Sequence, residues 1–168
     1  MRFLLFMLTL ISTIPAPLFG SGEGESVFGV WLTEGGASKL EIAPCGDKAC
    51  ARVVWMKNST YMNSKDGPVG TEKTDRHNPA PDLRNRPILG LQVMEGLMPE
   101  GEWWEKGSCY DPQTGKNYQC KMKLESPTAL KLRGFIGFSL LGRSYTLTRE
   151  LPVQVKSAQN REPRVTSP

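Results

Sequence analysis

The sequence holds one histidine, His77, among 168 residues. It has no CxxC pair, no HExxH, no GxSxG elbow, no P-loop and no GxGxxG followed by an acid. These gaps remove the usual signatures of dithiol redox chemistry, zinc and serine hydrolysis, and nucleotide binding. Charge of one sign is also scarce. Twenty-one basic residues stand against seventeen acidic ones, for a formal charge of +4. That excess is spread along the chain and is too weak to argue for nucleic acid or a membrane surface. The longest uncharged apolar run, Phe3 to Ile14, falls short of the ~20 residues a spanning helix needs, so no stable membrane span is expected. No long amphipathic helix and no internal repeat is evident.

What is present suits a single turn-rich β domain. Hydrophobic residues make up 39%, enough for one core, and the chain has seventeen Gly and thirteen Pro. Arg2, the run Phe3–Ile14, Pro15 and the small residues Gly20, Ser21 and Gly22 have the layout of a cleaved secretory leader, expected over residues 1–22. An even cysteine count agrees with export. Cys45 and Cys50 bracket a turn-like GDKA stretch, and Cys109 and Cys120 bracket DPQTGK. Each pair would staple its own hairpin, so the expected disulfides are 45–50 and 109–120. A zinc site is disfavoured, because paired CxxC units are missing and His77 is remote in sequence.

From Val27 onward the apolar period is two. Strands are expected at 27–33, 39–43, 51–56, 88–94, 103–110, 118–124, 130–135 and 140–149. Tyr118, Cys120, Met122 and Leu124 alternate against Gln119, Lys121 and Lys123. Val53 and Trp55 are expected on one face. Short connections favour an up-and-down meander. The fold class is therefore all-β: an antiparallel β-barrel or half-barrel of about eight strands. It occupies residues 27–149, followed by a flexible tail, 152–168. One connection is long: a polar loop over 57–86. Structureless loops above ~12–15 residues are unusual unless functional or disordered.

Tyr145, Leu147 and Arg149 share a face by parity. If the first and last strands meet, Arg149 can stack on Trp31 and close one end of the barrel. Gly29-Val30-Trp31 together with the late Arg149 resembles the lipocalin-like (calycin) superfamily. A closer resemblance is to a family of small exported bacterial domains, the domain of unknown function 2147 family. It rests on Gly29-Val30-Trp31, Ile42 to Trp55, Asn78-Pro79, LRNRPILGL over 83–91, Gly101 to Trp104, YDPQTGKNY over 110–118 and LKLRGFIGFSLLGR within 130–149. The resemblance implies a compact exported β domain with no established activity. Cys109 and Cys120 look like an addition to the family pattern.

The densest polar stretch is TEKTDRHNPAPDLRNR, 71–86. Its candidate ligand-binding residues are Asp75, His77, Asn78, Asp82, Arg84 and Arg86, because Arg grips carboxylate or phosphate in two-pronged fashion. The competing and favoured expectation is that Asp75 and Asp82 pair with these arginines and pin the loop. Trp103 and Trp104 are further candidates. They point to opposite faces of a strand, so one ring is available to stack on a ligand. Phe135, Ile136, Phe138, Leu140 and Leu141 surround Gly137 and are expected to pack in the core at a hairpin tip; exposed, they would form a docking patch.

No catalytic residue, metal site or cofactor is expected. The leading functional expectation is a periplasmic or secreted envelope protein, a non-enzymatic module for a small anionic or apolar ligand or an envelope protein partner. The alternatives are a hydrolase-like enzyme using the 71–86 loop and a purely structural protein docking a partner.

Overall fold

The computed structural model describes residues 26–150, so the expected leader and tail lie outside the described residues. Eight strands follow in chain order: β1 (Gly29–Leu32), β2 (Ser38–Cys45), β3 (Lys48–Met56), β4 (Gln92–Glu100), β5 (Trp103–Asp111), β6 (Lys116–Ser126), β7 (Ala129–Phe135) and β8 (Gly142–Arg149). Each pairs antiparallel with the next, and β1 pairs with β8, so the sheet is a closed barrel rather than a half-barrel. Helical structure among the described residues is limited to two short 3-10 turns, Glu34–Gly36 and Pro81–Leu83.

The meander fixes two ends. Connections β1–β2, β3–β4, β5–β6 and β7–β8 emerge at one end, the mouth; the other three turns form the base. Period-two side chains fill the interior near the base. Trp31, Ile42, Leu97, Met122, Leu130 and Leu147 are fully buried there. Cys45–Cys50 spans the β2–β3 turn at the base and Cys109–Cys120 ties β5 to β6, each with a Cα–Cα separation of 5.8 Å.

The base is closed by one arginine. Trp31 and Arg149 face each other across β1 and β8, and the Arg149 guanidinium carbon lies 4.2 Å from the indole centroid. The guanidinium donates to the carbonyl oxygens of Pro127 (2.6 Å), Phe28 (2.8 Å) and Ser26. Burial lowers the Arg149 pKa, although the group stays protonated at any physiological pH. Gly29 makes room for it. Its φ is 128°, and a Cβ there would lie 2.9 Å from Arg149 Nη1.

Two local expectations need correction. Leu40 faces Val53 while Lys39 faces Trp55, so Val54 is an extra residue in β3. This bulge reverses the parity after Val53. Val53 points inward, and Trp55 is turned outward under the Lys39 ammonium, 5.1 Å from its ring. The fourth strand begins at Gln92 rather than 88, because Ile88–Leu91 forms a turn at Gly90 bonded to Val53.

Candidate functional site

The β3–β4 connection is an ordered cap with its own hydrogen bonds. Thr60 bridges Glu72 and Thr74 bridges Pro87. Tyr61 is buried beneath it, and its hydroxyl accepts from the Thr74 amide at 3.1 Å. The strongest tie to the barrel is a four-residue cluster around Asp75, whose side chain is fully buried. Its carboxylate accepts from the Tyr110 hydroxyl (2.6 Å), the Asn78 amide (2.8 Å), and Arg86 through Nε (2.9 Å) and Nη2 (2.8 Å). Tyr110 comes from β5, so this cluster fastens the loop to the barrel wall. The Tyr110 hydroxyl also accepts from Asn78 at 3.1 Å. Burial, then the Asp75 carboxylate beside it, raises the Tyr110 pKa.

The other candidate residues disperse. Arg84 donates from Nε to the Asn78 carbonyl at 2.8 Å. Asp82 is exposed, and no ion pair reaches it among the described residues, so only Asp75 of the two acids pairs with an arginine. The His77 side chain is exposed, while its backbone carbonyl rests directly on Gly115 in the β5–β6 turn. Gly115 has φ 69°, and a Cβ there would collide with that carbonyl. Trp103 and Trp104 start β5 at the base, away from the loop. Trp104 meets Phe28 edge-on at 5.4 Å between centroids. The Trp103 ring lies under Lys121 (4.4 Å) and Lys123 (5.1 Å).

A cavity of about 1600 Å³ opens at the mouth. Leu40, Val53, Val93, Leu132 and Phe135 supply apolar wall, and Tyr118 and Tyr145 add phenol groups. Lys65, Lys73, Arg76 and Arg143 stand around it, and none has an ion-pair partner among the described residues. Asp66 and Asp111 also line it. Asp66 accepts from Asn63, and Asp111 accepts from Gln113 and Thr114 in its own turn. Gly134 lines the wall without a positive φ, and a Cβ there would meet only Tyr118 Cβ at 3.9 Å. Among the described residues, no three His, Cys, Asp or Glu side chains group as a metal site.

The Phe135–Leu141 run is not in the core. Ile136 is 64% exposed, Phe138 79%, Leu140 91% and Leu141 75%. The β7–β8 turn projects beyond the barrel, so no neighbour covers these side chains. Sequence reasoning also passed over Tyr110, Tyr61, Lys73 and Arg143 as site residues. Parity with Tyr145 could have placed Arg143 on the cavity side. Nothing local marks Tyr110 as the partner of a residue 35 positions earlier.

Comparison with solved structures finds a protein described as HP1028 from the human pathogen Helicobacter pylori, belonging to the lipocalin family. The two share a TM-score of 0.64 at 21% identity, over 76% of this chain and 84% of that one. At that identity the likeness establishes the fold, a lipocalin-like barrel. No curated protein matches the chain. Two disulfides in a bacterial family suggest an extracytoplasmic protein. No described helix is long and apolar enough to cross a membrane. The family model for uncharacterized proteins conserved in bacteria (DUF2147) matches residues 29–149, and the chain belongs to that family.

Proposed function

We propose that this protein is exported to the bacterial envelope and holds a small molecule in the open end of its barrel. The observation that carries the proposal is the one-ended cavity: sealed at the base by Arg149 on Trp31, open at the mouth, largely apolar inside and rimmed by four basic groups against two acids. Ligand sites are typically concave and largely apolar, with a few polar groups that fix orientation. The walls suit an apolar body, and Lys73, Arg76 and Arg143 suit an acidic group on it. His77 lies on the same rim. Gly134 supports the same function, because a side chain would fit there and would fill the space.

A hydrolase-like role finds less support. Asp75 accepts from both Arg86 and Tyr110, so the acid such an enzyme would use is enclosed in a loop fastening. His77 has no hydrogen-bonded carboxylate to orient it among the described residues, as a general base would need. The test is titration with the uncharged apolar dye N-phenylnaphthylamine. Wild type is expected to enhance its fluorescence saturably, and Gly134→Phe to lose at least about tenfold in affinity while folding normally, since the new ring would fill the cavity. Equal dye affinity for the two proteins would refute the cavity as the binding site.

A further inference from the structure

The β7–β8 turn is a preformed apolar projection at the mouth. Eleven large hydrophobic side chains are exposed among the described residues. Eight of them lie in the β3–β4 or β7–β8 connections, both at the mouth: Met62, Val69, Leu83 and Leu89 in the first, Ile136, Phe138, Leu140 and Leu141 in the second. A patch of this kind calls for a partner. The chemistry of the turn specifies which. Arg133 reaches under it and donates to the carbonyl oxygens of Ser139 (2.8 Å) and Leu140 (3.3 Å), and to Ser144 Oγ (2.9 Å). The Phe138 carbonyl accepts from the Leu141 amide at 2.9 Å. Three successive carbonyls at the tip are thus satisfied from within, while the apolar side chains face outward. Internally satisfied carbonyls lower the cost of bringing the turn to the headgroup boundary, where its amides still meet water.

The charge pattern agrees. Lys65, Lys73, Arg76 and Arg143 line the same mouth as Ile136, Leu140 and Leu141, without ion-pair partners among the described residues, and outnumber the two acids there, Asp66 and Asp111. The net charge of the chain gives no hint of this, because the fold gathers basic groups that the sequence scatters. We infer that the mouth docks on a lipid bilayer carrying anionic phosphate headgroups. Phe138, Leu140 and Leu141 enter the interface, and the basic rim meets the phosphates. Apolar burial and attraction to anionic lipid act together in such interfacial binding. A convex turn ending in separate apolar side chains suits a fluid surface better than a protein groove. This docking does not depend on a ligand in the barrel.

The experiment is vesicle co-sedimentation. It uses oxidised protein from the periplasm, with mass spectrometry confirming that Phe3–Ile14 is absent. Wild type is expected to sediment with phosphatidylglycerol-containing vesicles, and to bind pure phosphatidylcholine vesicles at least about tenfold more weakly. Phe138→Ser/Leu140→Ser and Arg76→Gln/Arg143→Gln should each lose about tenfold or more on the anionic vesicles. Gly134→Phe should bind them as wild type does, which separates this inference from the cavity proposal. Leu140→Trp keeps an apolar tip, and its added emission should shift to the blue on the anionic vesicles. If wild type stays in solution, or the tip variant sediments equally, the inference is wrong. Loss of that blue shift overturns it as well and leaves the turn to a protein partner.

Discussion

Replacing Arg149 by alanine should destabilise the barrel more than any comparable change at a half-buried site. Two contributions are removed together. A guanidinium stacked 4.2 Å from an indole contributes up to about 2 kcal/mol when desolvated. Hydrogen bonds with a charged donor contribute about 1.5–3 kcal/mol each, but three donated by one side chain do not add, and water can reach part of this site. The Ser26, Phe28 and Pro127 carbonyls would then need water as a donor. An overall loss of about 3 kcal/mol follows. For a domain of this size that is a fall of roughly 10 °C in melting temperature. Arg149→Lys keeps the charge but not the planar fork, so its loss should be smaller. Thermal unfolding of the oxidised protein, followed by circular dichroism, measures both. A shift below about 2 °C for Arg149→Ala would refute the idea that this residue holds β1 and β8 together.

Two further predictions concern the cap and the cross-links. Tyr110 has a raised pKa in the folded state, so the fold retains its proton above the usual value of 10.0. The contribution to stability is complete below that value and is lost as pH rises through the folded pKa. Spectrophotometric titration should show a phenol ionisation above 10.0 that Tyr110→Phe lacks; identical curves would contradict the cluster. Both cysteine pairs are bonded, so denatured, unreduced protein should show no titrating thiol, and Cys109→Ser/Cys120→Ser should lose about 2–3 kcal/mol in denaturant unfolding. Two or more titrating thiols would disprove the pairing.

Much of the barrel is legible in its alternation. Cys120 and Met122 in β6, Leu130 in β7 and Leu147 in β8 are inward residues that parity alone identifies. The bulge at Val54 is not legible, because one added residue reverses parity without changing composition. The long loop reads as polar, but its order depends on Tyr61, bonded to Thr74 across the loop, and on Tyr110, whose partner lies 35 positions away. The cluster of Asp75 with Arg86 follows from their chemistry; the openness of the mouth does not. Periodicity cannot distinguish a hairpin tip folded into the core from one extended beyond it, so Phe138 and Leu140 read as packing residues. The cavity itself is a property of closure, and Gly134 gains its meaning only once β6 is seen beside it, with Cys120 opposite and Tyr118 on the diagonal.

The most direct test of the cavity is native mass spectrometry of oxidised wild-type and Gly134→Phe protein purified side by side from the same bacterial host. Wild type is expected to carry a reproducible extra mass that leaves on denaturation, greatly reduced or absent on Gly134→Phe. Bare masses for both proteins, or the same adduct on both, would contradict it.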